Sequence, residues 1–242
     1  MKTESMVLGI DDASPYHAYA HSLMNDSEIR QHFHQKYLER YRNTDGVRIV
    51  DELGLMHGAC RADIAVVNGL LVGYEIKSEE DTLIRLERQI EAYDAIFDLV
   101  TLIVCEKHRP IATNRLPKHW GIMVSFKEQK SGIKFRRQRK ATRNPNVDPL
   151  SLARLLWKRE AVEVLERLGE KQGISRNPRA VLYRKLIDRI SLPHLKRVVR
   201  TYLKKREGWR DPRQPSRYDG LFPSDAKSTN SRFSQNLQHT PR

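Results

Sequence analysis

Cysteine is nearly absent. Cys60 and Cys105 are the only two in 242 residues, which excludes a disulfide scaffold and suits a reducing cytoplasm. Long apolar runs are missing as well. None approaches the ~20 residues that span a bilayer, so neither a membrane span nor a membrane partner is expected. The opening stretch MKTESMVLGIDDASPY meets acids early and has no apolar core, so no secretory signal is expected. Apolar residues make up 39% of the chain, low enough that part of it is expected to lie outside any core.

Charge is present and uneven. The chain carries 44 Lys+Arg against 30 Asp+Glu, a formal +14. Residues 1–110 hold 12 basic and 19 acidic residues, a net −7, and residues 111–242 hold 32 and 11, a net +21. Such a split fits an acidic half that holds cations and a basic half that meets a polyanion, or equally solvated helix faces with a basic tail.

The residue pattern predicts a helix over 27–42, capped by Ser27, with Ile29, Phe33, Tyr37 and Leu38 on one face. Strands follow at 47–53, 62–67 and 70–77, the last two joined across Asn68-Gly69, a strong hairpin signal. Leu83, Leu86, Ile90, Tyr93 and Phe97 then recur at helical spacing before the apolar strand 99–105. Weaker strands at 121–126 and 132–137 are expected at a sheet edge. Three strands in a meander and a helical crossover to the fourth imply a mixed sheet. From Asp148 onward the pattern is helical, with Asp148-Pro149 and Asn177-Pro178 as starts and a basic helix over 191–207. The residues beyond Gly208 read as a disordered tail.

The chemistry concentrates in RADIAVVNGLLVGYEIKS, residues 61–78. Alternation along a strand puts Glu75 and Lys77 on one face and Ile76 on the other. Asp63 joins them if the hairpin pairs odd with odd. A two-residue Asn68-Gly69 loop would turn it away. A three-residue loop Val67-Asn68-Gly69, pairing 66 with 70, brings Asp63 and Glu75 to one face, and that loop or an equivalent bulge is the expected arrangement. Two carboxylates beside an apolar sheet need neutralising, and Mg²⁺ is served by one or two carboxylates, water and substrate phosphate. Glu52, ending the first strand, is either a third ligand or a solvated acid. His57 and Cys60 with Cys105 and His108 form a formal zinc set without the usual knuckle glycines, so buried cysteines and surface histidines are the simpler reading.

Asp63, eleven residues, then Glu75-Ile76-Lys77 resembles the PD-(D/E)XK nuclease superfamily, whose core runs helix, three strands, helix, strand. Gln89-Ile90-Glu91-Ala92-Tyr93 is similar to the Q-x-x-x-Y element of its RecB-like members. Ala62 stands where the superfamily pattern has Pro. That core match covers about residues 27–126. A looser likeness to the bacterial and phage "sce" family, named after a locus, runs through DTLIRLERQIEAYD, Trp120-Gly121 and Leu155 to Glu160, reaching about residue 210.

The resemblance implies an α/β, restriction-endonuclease-like αβββαβ core with a mixed sheet, followed by a basic all-helical C-terminal domain. The corresponding boundaries are an N-terminal extension at 1–26, a nuclease-like domain at 27–140, a helical domain at 148–208 and the tail at 209–242. It implies that Asp63, Glu75 and the carbonyl of Ile76 hold Mg²⁺ or Mn²⁺, and that Lys77 orients or helps deprotonate the attacking water. Gln89 would position substrate or Lys77, and Tyr93 would support it, although Tyr93 also fits the apolar stripe. Lys196, Arg197, Arg200, Lys204 and Lys205 form the expected phosphate track. The expected activity is metal-dependent hydrolysis of a nucleic-acid phosphodiester, DNA in preference to RNA. The rival is a non-catalytic nucleic-acid-binding protein on the same fold, in a phage or defence setting, and a component held off by a partner is a further reading.

Overall fold

The hairpin that carries Asp63 and Glu75 sits in a six-stranded mixed sheet whose spatial order follows the chain. The structure is a computed structural model, and it describes residues 23–128, 132–170 and 173–206. Most of the expected N-terminal extension and the whole of the expected tail lie outside the described residues. Helix α1 (Asp26–Phe33) leads through a π-helical turn (His34–Leu38) and a 3₁₀ turn (Glu39–Tyr41) into β1 (Arg48–Leu55), β2 (Cys60–Val67) and β3 (Leu71–Lys77). Helix α2 (Leu86–Asp94) crosses to β4 (Leu99–Cys105), and α3 (Arg109–Arg115) crosses to β5 (Gly121–Glu128), which turns into β6 (Gly132–Arg139). Helices α4 (Pro149–Ala153), α5 (Lys158–Arg167), α6 (Arg179–Arg189) and α7 (Leu192–Lys205) complete the described chain.

Strands β1 to β3 form the expected antiparallel meander, β3, β4 and β5 run parallel, and β6 returns antiparallel. The hairpin loop is one residue further on than expected. Val67 pairs with Leu71 and Ile64 with Tyr74, so the loop is Asn68-Gly69-Leu70, with Gly69 at φ 98°. Moving both ends by one residue preserves parity, and Asp63 stands opposite Glu75. The tight turn places a left-handed residue that glycine adopts without a Cβ clash.

Alternation divides the core between two faces. Ile64, Val66, Ile76 and Ile103 pack with Ile29 and Phe33 of α1, while the other face meets α2 and the loop after it. There the ring of Phe97 lies where a side chain on Gly73 would begin, 2.9 Å from an ideal Cβ. Tyr93 packs against Phe97 and Trp120 at centroid separations of 5.0 and 5.6 Å. Each large buried side chain of this kind contributes about 1.5–3 kcal/mol through apolar burial.

Five elements depart from the expected pattern. Helix α1 is capped by Asn25, which accepts from Glu28 N while Glu28 reaches back to Asn25 N, so the cap precedes Ser27 by two residues. Helix α2 starts at Leu86, and α3 fills a stretch to which the sequence pattern assigned no element. Strand β5 is interior, and β6 alone forms that edge. The helical stretch from Asp148 is two helices, because Arg154 to Trp157 breaks it. No helix among the described residues is long and apolar enough to cross a membrane.

Candidate functional site

Strands β1, β2 and β3 set three carboxylates in a row. Asp51 pairs with Ile64 and Leu53 with Ala62, which puts Glu52 across from Asp63, and Asp63 is across from Glu75. Glu52 has φ 55°, a left-handed backbone that costs a non-glycine residue on the order of 1 kcal/mol and persists only where its surroundings hold it. Arg30 of α1 and Arg61 hold it here, at 2.9 and 3.4 Å from its carboxylate.

Asp63 is held from three sides. Its Oδ2 accepts the Ile76 N–H at 2.7 Å, its Oδ1 lies 3.3 Å from Arg30 Nη2, and its carbonyl accepts Arg30 Nη1 at 2.7 Å. Burial and the charge of Glu75 push the Asp63 carboxyl well above the usual carboxylate range, against the pull of Arg30 and the Ile76 amide.

Glu75 is 1% exposed and Lys77 4%. Lys77 Nζ donates to Glu75 Oε1 at 2.7 Å. Burial works against the charged lysine, but Glu75 outweighs it and the Lys77 value rises, so the ammonium form is held. From α2, Gln89 Nε2 also donates to Glu75 Oε1, and Tyr93 donates to Glu75 Oε2. The Tyr93 oxygen accepts the Asp63 N–H at 3.2 Å. Burial and the two carboxylates raise the Tyr93 phenol well above its ordinary value, which keeps it a donor. Gln89 and Tyr93 are four residues apart, one helical turn, and both reach Glu75. Gln89 Oε1 is buried with no hydrogen-bond partner.

The expected site residues thus separate into two groups. Asp63, Glu75, Lys77, Gln89 and Tyr93 meet, with the backbone of Ile76 bonded to Asp63 and Glu52 beside it. Arg30 joins them, although the sequence reading left it out. Its one signal is the Asp26–Arg30 spacing of a helix ion pair, realised at 2.9 Å. On α7, Lys196 donates to the buried Asp98 at 2.8 Å and Arg200 lies 3.7 Å from it, whereas Arg197 and Lys205 are exposed and Lys204 half-buried. Among the described residues no group of three or more His, Cys, Asp or Glu side chains could hold a metal ion. Cys105 lies in the core facing α1, and His108 meets the Asp81 carbonyl.

Residues 22–211 match the family described as Bacteriophage P4 protein cII. The chain belongs to that family. Protein cII of Enterobacteria phage P4 is 28% identical over 121 residues, which cover 50% of this chain and 46% of that protein. The chain thus spans about half the length of this P4 cII relative. Among solved structures, the SPO1766 protein of unknown function from Silicibacter pomeroyi aligns with a TM-score of 0.34 and 16% identity, over 61% of this chain and 90% of that one.

Proposed function

We propose that the chain is a divalent-metal-dependent nuclease of the PD-(D/E)XK type, hydrolysing phosphodiester bonds of DNA. One observation carries the reading: Asp63 and Glu75 oppose each other on adjacent strands, with Lys77 bound to Glu75. The donor set fits Mg²⁺ or Mn²⁺. It offers two hard carboxylates, the Asp63 value being raised by burial and then by the charge of Glu75, and the buried Gln89 amide oxygen lacks a partner beside them. Asp63 and Glu75 would hold the ion, with the Ile76 carbonyl as a further oxygen, while Glu52 stays with Arg30 and Arg61. A bound ion would supply positive charge to the phosphate oxygens and acidify a water.

The remaining roles belong to the protein. Lys77, held as an ammonium, donates to the attacking water or to a phosphate oxygen and is no proton acceptor while Glu75 faces it. Gln89 and Tyr93 fix the carboxylate plane of Glu75, and Tyr93 also ties Asp63 to that plane through its amide. Arg30 holds Asp63 from the opposite side. Positioning of this kind is the larger part of what phosphoryl chemistry asks of a protein.

The test is incubation with linear, nicked, branched and single-stranded DNA, with Mg²⁺, Mn²⁺ or EDTA. Cleavage that needs the metal and disappears in Asp63→Asn and Lys77→Ala is expected. No cleavage of any substrate, or equal cleavage by the variants, would overturn the reading. A second reading, a nucleic-acid-binding protein without catalysis, is favoured by the fact that Asp63 and Glu75 already meet protein donors at every carboxylate oxygen. Mn²⁺ titration separates the two, since only the nuclease requires the ion at Asp63 and Glu75.

A further inference from the structure

On the sheet face opposite the carboxylates, helix α1 and its π-helical and 3₁₀ continuation cover the strands only partly. Tyr37, Tyr41 and Tyr74 remain half-buried there against the core. Their undersides are fixed. Phe33 stacks on Tyr37 at 5.1 Å and packs against Tyr74 at 4.8 Å. Tyr37 meets Phe135 edge-on at 5.7 Å. The Tyr37 and Tyr74 rings are thus locked before any partner arrives, which lowers the ordering cost of binding on them.

The rim of this patch is cationic. Arg40 lies over the Tyr41 ring at 4.8 Å and donates to its hydroxyl at 3.1 Å, and Lys36 lies over Tyr37 at 5.8 Å. Arg137 stands two residues after Phe135 on β6 and so faces the same side of the sheet as this cluster. Lys36, Arg40 and Arg137 are exposed, and none has a carboxylate at ion-pair distance among the described residues. The nearest acid in sequence, Glu39, is occupied by Arg42 at 2.8 Å.

We infer that this face binds single-stranded nucleic acid, its bases against Tyr41 and Tyr74 and its phosphates on Lys36, Arg40 and Arg137. Half-exposed aromatic rings interleaved with unpaired cations suit an unpaired strand. A duplex hides its base faces, so rings gain nothing from it, and an acidic protein would use the cations and leave the rings idle. The inference does not rest on the nuclease reading, because the patch uses none of the residues on the carboxylate face.

The experiment uses the full chain in EDTA, so that no metal-dependent cleavage intervenes. Binding of fluorescein-labelled oligo(dT) and of a blunt hairpin duplex is followed by anisotropy. Tyr41→Leu and Tyr74→Leu are expected to weaken oligo(dT) binding roughly tenfold each and to leave duplex binding unchanged. Tyr74→Phe, which keeps the ring, restores wild-type binding. Arg40→Gln with Arg137→Gln flattens the salt dependence for oligo(dT) by about 0.7 per lost contact. Photocross-linking of a bromodeoxyuridine strand maps to Tyr41 or Tyr74. Tyrosine variants that bind oligo(dT) as the wild type does would overturn the inference. So would equal losses on strand and duplex, or cross-links confined to other elements.

Discussion

Lys196 Nζ lies 2.8 Å from Oδ1 of Asp98, a carboxylate that is 3% exposed and that also accepts the Leu71 amide at 2.9 Å. This contact makes part of the basic face of α7 a structural clamp on the residue preceding β4. Truncating one partner of a buried pair leaves the other charge unsatisfied. Lys196→Ala is therefore expected to lower stability by about 2 kcal/mol, softened by Arg200 nearby. Arg197→Ala and Lys205→Ala, both exposed, should stay within about 0.5 kcal/mol of wild type. Urea unfolding of the three variants checks this.

Asp63 gives a pH dependence whose sign follows from its raised value. The folded state holds the Asp63 proton at pH values where the unfolded chain has lost it. Stability from this group is present at low pH and falls as pH rises from the ordinary carboxylate value through the raised one. In EDTA, Asp63→Asn is expected to remove that fall and to melt about 2–4 °C above wild type at pH 8, near 1 kcal/mol. Melting curves from pH 4 to 8 decide it, and a variant that melts lower at pH 8 refutes it.

Glu52 allows the backbone and the carboxylate to be separated. Glycine adopts φ 55° freely and alanine does not, so Glu52→Gly should be more stable than Glu52→Ala by about 1 kcal/mol. Both lose the contacts to Arg30 and Arg61 equally, so their difference reports the strain. Mn²⁺ affinity that drops equally in both marks the carboxylate as a ligand.

Gly73 faces a different constraint. A methyl group there would enter the ring of Phe97. Gly73→Ala is expected to cost about 1–3 kcal/mol, the usual range for overpacking a filled core. Phe97→Leu in the same chain should recover part of the loss if the ring is the obstacle, and thermal melts of the single and double variants measure it.

The parity of the β2–β3 hairpin was legible because Asn68-Gly69 marks a turn and only a three-residue loop brings Asp63 beside Glu75. The loop position was not, since Leu70 is as apolar as Val67 and neither composition nor alternation says which of them pairs. Gln89 and Tyr93 were legible through the resemblance to the Q-x-x-x-Y element. Arg30 was not, because its role depends on where α1 lies on the sheet, and that placement is set by packing of Ile29 and Phe33 rather than by any local pattern. Asn25 had the better capping signature, with Glu28 three residues on, and Ser27 obscured it. The tie between Lys196 and Asp98, 98 residues apart, has no sequence signal at all.

Spatial order in the sheet equals order in the chain, which bears on how the protein is made. A chain leaving the ribosome adds each strand to the edge formed by the one before it, with no need to wait for a distant segment to insert between neighbours. All the residues that gather around Asp63 lie between Arg30 and Tyr93, so the carboxylate cluster can assemble before β4 to β6 and the last four helices have been synthesised. Those later elements then extend a sheet whose first three strands are already paired.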